Sequence, residues 1–335
     1  MGYMAFSFAM AHKTDPLLTN IKNKLGIQYL ADLEIGTTPN SELIKNYSPK
    51  DSLMVSNTLM ASISEALDNL PIPQFIGSNG WVIGTQKTST GKVLFANDPH
   101  IGFAQPSVWY EAHIHTPNYE MYGYHLAGFP FPVLGHNRKI AYGITMFEND
   151  DIDFYWEENH PTDANLYKTP EGWKAYETRT ETIKVKDGND VIITIKTSQH
   201  GPLMNYFVTE INFEQPIAMS WVYTQLKDRS LDAIYKMSHA KNQTEFEAAL
   251  PLLHAPGLNI MYGDAENNIG WYAVAKLYEL PKTAHSKFIM DGTTGENERI
   301  RYLDFSENPK AINPPWHYVY SANNQIGRAS CREGV

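Results

Sequence analysis

The residues able to do chemistry in this chain are few and widely spaced, and the most suggestive is a serine behind a glycine. Ser78 follows Gly77 and opens the run Ser78-Asn79-Gly80-Trp81-Val82-Ile83-Gly84. A serine hydroxyl at its ordinary pKa is a poor nucleophile and needs a neighbouring base. An α-amino group, with a pKa of about 7.7–8.0, is poised to be that base near neutrality. A serine can therefore carry its own base, but only if the bond before it is broken and it becomes a new N-terminus. Ser78 Oγ would attack the Gly77 carbonyl, the acyl group would shift from nitrogen to oxygen, and water would release the ester. Glycine is the least hindered residue that can precede such a bond. Taken alone, the pair is also an ordinary strand-start serine behind a flexible glycine.

Other groupings are weaker. His113-x-His115 puts two imidazoles on one face of a strand, as a zinc pair would be, yet no third ligand is evident and a structural role is the simpler reading. Asp150-Asp151-x-Asp153 is either a solvated turn or a hard-cation site, because close carboxylates and a backbone carbonyl suit calcium. Asn259 alone reads as a turn or cap, and His100 and His136 as structural histidines. Carboxylate pairs among Asp98, Glu148, Asp150 and Asp153 would suit a glycosidase, in which Ser78 plays no part. The chain has no Gly-x-Ser-x-Gly elbow, no His-Glu-x-x-His, no phosphate-cradling glycine loop and no Gly-x-Gly-x-x-Gly.

Five segments together change the balance: Phe75-Ile76-Gly77-Ser78-Asn79-Gly80-Trp81-Val82-Ile83-Gly84, Asn97-Asp98-Pro99-His100, Gly135-His136-Asn137, the acidic run at 150–153, and Asn259 in Leu-Asn-Ile-x-Tyr-x-Asp. In this order and spacing the chain resembles the penicillin acylase family of N-terminal nucleophile hydrolases, from Tyr3 to Gln325. The resemblance implies an α+β, four-layer αββα fold, here incomplete. It also implies a self-processing amidohydrolase acting on a linear N-acyl amide through an acyl-enzyme on Ser78. The substrate would be the acyl side chain of a β-lactam, an acyl-homoserine lactone or a similar compound. By resemblance the oxyanion donors are the backbone N–H of Met146 and the amide of Asn259. His100 is similar to the cephalosporin-acylase and acyl-homoserine-lactone-acylase branches, where penicillin G acylase has Gln, and it would polarise or orient Ser78. Structural calcium would be held by Asp150, Asp153 and the Ile152 carbonyl, with Asp15 as a looser further ligand whose family position could equally fall at Thr14. The same resemblance divides the chain into the end of an α-chain (1–44), a removable spacer (45–77) and the first part of a β-chain (78–325); residues 326–335 break from the preceding Tyr/Asn/Pro-rich style and read as an artefactual tail. It also implies a periplasmic or secreted protein, although no export signal stands in this chain. The alternative is an uncleaved, silent relative that serves as a binding or structural module.

The elements that must place these residues follow from patterning. Leu17, Leu18, Ile21, Leu25 and Leu30 predict a helix behind Thr14-Asp15-Pro16, with Asp15 as cap and Pro16 in the first turn. Leu53, Leu59, Met60, Ile63, Leu67 and Leu70 predict a second, ended by Pro71-Ile72-Pro73. Hairpins are expected after Gly77, across Asp187-Gly188-Asn189-Asp190 and across Ala265-Glu266-Asn267-Asn268. Two helices are expected between them, capped by Ser230 and by Thr244, the latter with Glu247 three residues on. This order favours sheets with helices packed outside.

Composition limits the rest. With 335 residues and 42% hydrophobic content there is ample material for a core, in one large mixed fold or about two domains. Lys+Arg 27 against Asp+Glu 37 gives a net charge of −10, and no basic cluster tracks a phosphate backbone, so nucleic acid is not the expected partner. No apolar run reaches the roughly 18 residues of a membrane-spanning helix, and no membrane insertion is expected. The single cysteine, Cys331, allows neither a disulfide framework nor a thiolate metal site. Phe103, Trp109, Tyr110, Phe129, Phe131 and Phe147 suit an acyl pocket or a core.

Overall fold

The computed structural model describes residues 11–33, 75–147, 151–206 and 215–323. The helix expected at 53–70, the spacer up to residue 74, Glu148, Asp150 and the tail lie outside the described residues. After helix α1 (Ala11–Leu25) and a 3-10 turn at Ile27–Leu33 come strands β1 (Phe75–Ile83), β2 (Leu94–Ile101), β3 (Trp109–Thr116), β4 (Tyr119–Leu126), β5 (Leu134–His136), β6 (Ile140–Met146) and β7 (Ile152–Trp156). A meander follows in β8 (Asn159–His160), β9 (Asp163–Thr169) and β10 (Gly172–Ala175), then a hairpin in β11 (Glu177–Ile183) and β12 (Val191–Thr197). Strand β13 (Ile217–Trp221) leads to helices α2 (Val222–Gln225), α3 (Ser230–His239) and α4 (Gln243–Glu247). The chain returns to sheet in β14 (Leu258–Asp264), β15 (Ile269–Val274), β16 (Tyr278–Glu279), β17 (Met290–Asp291), β18 (Arg301–Tyr302), β19 (Lys310–Ile312) and β20 (Tyr318–Ser321).

Two sheets set the architecture. One has seven strands in the order β19-β15-β14-β6-β5-β4-β3, the other three in the order β2-β1-β20. Period-two alternation gives the larger sheet two working faces. Tyr142 and Ile144 of β6, Ile260 and Tyr262 of β14, and Tyr272 and Val274 of β15 point to one side, where they bury Ala233, Ile234 and Met237 of α3 and Phe246 of α4. From the other side Met261 and Ile269, with Trp271 packed against them, meet Val82 and Val319 of the smaller sheet together with Val93 and Phe95. Helices, large sheet and small sheet thus stack in successive layers, as α+β patterning requires. The outer face of the small sheet carries exposed Trp81, Leu94, Tyr318 and Tyr320.

The two sheets approach closely beside Ser78. Strand β5 pairs with β6 only at Ala141 and Tyr142, so Ile144 has no strand partner on that side among the described residues. The side chain of Asn97, from the facing sheet, takes that place: its Nδ2 donates to Ile144 O (2.9 Å) and to Asn79 O (2.9 Å), and its Oδ1 accepts from Ile144 N–H (3.0 Å). Gly143 makes room for it, since a Cβ there would lie 2.5 Å from Asn97 Oδ1.

Local expectations fared unevenly. The three hairpins form, with β1 against β2, β11 against β12, and β14 against β15. Helix α1, however, is helical from Ala11 and carries Pro16 inside it, so Asp15 is not its cap. Ala11 packs one turn upstream with Ile152 and Trp221, and that burial holds the helix through a proline that interior positions ordinarily disfavour. Asn242, rather than Thr244, caps α4 by accepting from Glu245 N–H (2.9 Å), while Glu245 reaches back to Lys241 N–H (3.0 Å). At α3 the Asp228 carboxylate accepts from both the N–H and the Oγ of Ser230, so Ser230 begins the helix instead of capping it.

Candidate active site

Strand β1 is the middle strand of the small sheet, and its register sets Gly77 opposite His100 and Ser78 opposite Pro99. Ser78 is fully buried. The strand runs unbroken through Gly77 and Ser78, so the nitrogen of Ser78 is a peptide amide here and cannot act as a base. Its hydroxyl is held from two directions. Oγ donates to Asn323 Oδ1 (2.8 Å) and accepts from the backbone N–H of Met146 (3.2 Å). Asn323 Oδ1 also accepts from that N–H (3.2 Å), and Asn323 Nδ2 donates to the Ser78 carbonyl (2.7 Å). Next to them the hydroxyls of Thr145 on β6 and Ser321 on β20 lie 2.6 Å apart, which fixes the ends of these strands to one another. A Cβ on residue 77 would stand 3.3 Å from Asn323 Nδ2 and 3.9 Å from His100 Nδ1, so glycine leaves the approach to the 77–78 bond uncrowded.

Of the sequence-derived candidates, Gly77, Ser78 and Met146 come together. Asn259 sits one step away: its Nδ2 donates to the carbonyl of Met146 (2.8 Å) and its Oδ1 accepts from the indole N–H of Trp271 (3.1 Å). His100 faces Gly77 across the ladder but turns Nε2 to Asp98 Oδ2 (2.8 Å), in an exposed pair. Asn323 escaped the sequence reading altogether, because it lies 245 residues from Ser78 in the chain. The only signal for it was its type, an amide able to donate to an oxyanion, in the polar stretch Ser321-Ala322-Asn323 that follows β20.

The residues expected to hold calcium lie on neighbouring elements, since α1 packs against β7 through Ala11 and Ile152. Asp150 is outside the described residues. Asp15 and Asp153 are both fully buried. Asp15 accepts from Thr14 Oγ1 (3.0 Å), and Asp153 accepts from the hydroxyl of Tyr278 (2.8 Å) with Arg299 Nη2 4.0 Å away. The Arg299 guanidinium is itself stacked over Tyr278 and Tyr302. A fixed positive charge therefore already faces Asp153, and among the described residues no three His, Cys, Asp or Glu side chains form a metal-holding group. The described residues thus bring two buried carboxylates of the expected set, Asp15 and Asp153, onto packed neighbouring elements, with Arg299 beside one of them.

The remaining candidates disperse. His113 pairs with Glu120 (3.3 Å) and His136 packs on Tyr122, in keeping with a structural role. Asp98 is exposed and turned to His100, whereas Asp153 is buried against Tyr278 and Arg299. Phe147 is core, Trp109, Phe129 and Phe131 pack on the helix side of the large sheet, and Phe103 and Tyr110 are exposed; the six do not line one pocket.

The chain as a whole is similar to known acylases. The acyl-homoserine lactone acylase QuiP of Pseudomonas aeruginosa is 32% identical over 257 residues, which cover 74% of this chain and 30% of that protein. The penicillin G acylase of Escherichia coli is 30% identical over 249 residues, covering 74% of this chain and 29% of that one. The thermostable penicillin G acylase of Alcaligenes faecalis superposes with a TM-score of 0.66 at 27% identity, over 74% of this chain and 44% of its own. The chain thus spans about 30% of the length of these curated relatives, and its fold is that of the N-terminal nucleophile hydrolases. Matching the family's pattern over residues 1–333, the chain belongs to the penicillin amidase family.

Proposed function

We propose that this chain carries the nucleophile of a self-processing amide hydrolase. The observation that supports it is the placement of Ser78 Oγ between the Met146 N–H and the Asn323 side chain, on a buried residue whose preceding glycine leaves the bond open to attack. Once the 77–78 bond is broken, the freed amine of Ser78 takes the proton from its own hydroxyl, directly or through one water. Oγ adds to the carbonyl of an N-acyl substrate. The oxyanion is stabilised by the Met146 N–H, which already donates to the hydroxyl, and by a carboxamide N–H beside it. The proton passes to the departing amine, the C–N bond breaks, and water then hydrolyses the ester and returns the hydroxyl. The side-chain donor is the Nδ2 of Asn323 or of Asn259: each has one of its two hydrogens on a carbonyl, Asn323 on Ser78 and Asn259 on Met146, and keeps the second.

The relatives are named for acyl-homoserine lactones and for penicillin G. The proposed substrate class is the one these share, an apolar acyl group on a small amine. Two chains cut from one precursor, and export from the cytoplasm, belong to the same proposal. A structural calcium on Asp150, Asp153, the Ile152 carbonyl and Asp15 is part of it too, and takes no part in the chemical steps.

The test is intact mass and N-terminal sequencing of the product of the complete gene, beside Ser78→Ala. A new N-terminus at Ser78 that the variant lacks is the expected result; hydrolysis of phenylacetyl amides and long-chain acyl-homoserine lactones then ranks the substrates. A single uncleaved chain from the wild-type gene overturns the mechanism and favours a silent binding module.

A further inference from the structure

The Met146 N–H is useful as an oxyanion donor only if the residue is held on both sides, and Met146 is the last residue of β6. The 145–146 peptide that carries the N–H lies in the β6–β14 ladder; the 146–147 peptide beyond it is held among the described residues by Phe147 N–H on Gly257 O, at 3.3 Å, and at its carbonyl by a side chain. That side chain is Asn259, whose Nδ2 donates to the Met146 carbonyl at 2.8 Å. An asparagine amide can turn over, exchanging oxygen for nitrogen with little change of shape, so something must choose the orientation that donates. That choice is made by Trp271. Its indole N–H, which can only donate, meets Asn259 Oδ1 at 3.1 Å, while the Met146 carbonyl can only accept. Turning the amide over would set donor against donor and acceptor against acceptor, in a place where Asn259 is 1% exposed. The indole is well anchored: Trp271 pairs with Met261 and Ala311 across β14 and β19, and its ring packs on the clusters around Phe147 and Val82.

We infer that Trp271 is a positioning residue for the reaction proposed above, acting through Asn259 on the Met146 N–H. It touches neither Ser78 nor substrate. The inference rests on the amide-hydrolase reading, and two substitutions test it. Trp271→Phe keeps an aromatic ring but removes the N–H. Trp271→His loses the benzo ring but keeps a ring N–H the same number of bonds from Cβ. A purely structural role ranks Phe as mild and His as severe; positioning ranks them the other way. In the product of the complete gene, Trp271→Phe is expected to lower kcat and the rate of 77–78 cleavage about tenfold with KM unchanged, and Trp271→His to recover part of both.

A second readout does not depend on catalysis. Hydrogen exchange at the Met146 amide should speed up in Trp271→Phe, while exchange at Ile144, held by Asn97, stays as in the wild type. Wild-type kinetics in Trp271→Phe, or activity that tracks ring bulk instead of the N–H, would overturn the inference. So would unchanged exchange at Met146. Ser78→Ala separates the two levels: if that variant still processes and hydrolyses, the amide-hydrolase reading fails, whereas an inert Ser78→Ala beside a fully active Trp271→Phe removes Trp271 alone.

Discussion

At the scale of the residue, the proposal makes Ser78 a nucleophile without a base until its own nitrogen is released, and its hydroxyl is meanwhile engaged by Met146 and Asn323. In the same proposal Asn323 holds the uncut strand through the Ser78 carbonyl and is one of two amides able to donate to the oxyanion. Asn323→Leu removes both, and the proposal predicts that 77–78 cleavage and amide hydrolysis each slow by about 10²-fold or more, the range for loss of one oxyanion donor. Asn323→Asp retains the acceptor for Ser78 Oγ but not the donor, so it should impair turnover while the fold survives. Mass spectrometry of the cleavage time course measures the first, steady-state kinetics the second. A fully active Asn323→Leu would return the donor role to Asn259. Gly77 and Ser78 were legible in the sequence because their chemistry is local. Asn323 was not, because nothing near it in the chain shows that β20 will lie beside β1.

At the scale of the element, the site depends on how tightly β6 is drawn to β1, and Asn97 does the drawing. Its amide serves as the missing neighbour of Ile144 and holds Asn79, next to the nucleophile, at the same time. Asn97→Ala should destabilise the fold by about 1–3 kcal/mol, because partly buried backbone groups lose their partners. Gly143→Ala should have a comparable effect by pushing Asn97 aside, since the added Cβ would meet its Oδ1 at 2.5 Å. Chemical denaturation reports both, and an unchanged midpoint in Gly143→Ala would mean that the two sheets are free to separate. Strand identity was readable from alternation at β11 and β12, and from the turn residues Ala265-Glu266-Asn267-Asn268 between β14 and β15. Helix ends were less so. Thr244 and Glu247 fit a capping box by spacing, yet Asn242 stands two residues earlier with a side chain that reaches Glu245 first. Pro16 signals a helix start only where nothing upstream is worth burying, and Ala11 is buried.

For the whole molecule, a buried charged cluster joins segments far apart in sequence. His200 Nδ1 meets Glu157 Oε1 and its Nε2 meets Glu298 Oε1, both at 2.8 Å, with the ring stacked on Tyr155. Burial pulls the imidazole pKa down, but the two carboxylates outweigh it and push the value up to about 9. In an unfolded chain it is about 6.5. A value raised on folding gives stability that is complete below pH about 6.5 and is lost as pH rises through about 9. Thermal denaturation from pH 6 to 10 should accordingly show the wild type losing stability toward His200→Gln, whose own midpoint changes less over that range. Parallel curves would show that His200 is neutral in the fold. The calcium proposal supports a further expectation. Chelation by EDTA should lower the melting temperature, and added calcium should restore it, if Asp150, Ile152, Asp153 and Asp15 hold the ion. An unchanged melting temperature would mean that Arg299, stacked on two tyrosines, answers Asp153 without it.

By itself the sequence determined the family and the strand-rich α+β character, and through the family resemblance it singled out Gly77, Ser78 and Met146, because the family is written in contiguous motifs and the strands in period-two alternation. The tertiary structure alone decided which amide reaches Ser78, what holds Met146 in place and which charge answers Asp153. Those choices join Asn323 to Ser78, Trp271 to Asn259 and Arg299 to Asp153, pairs brought together by sheet register and by the packing of one sheet on another. Register converts positions distant in sequence into hydrogen-bonding distance, and it is a property of the assembled sheets that no single segment contains.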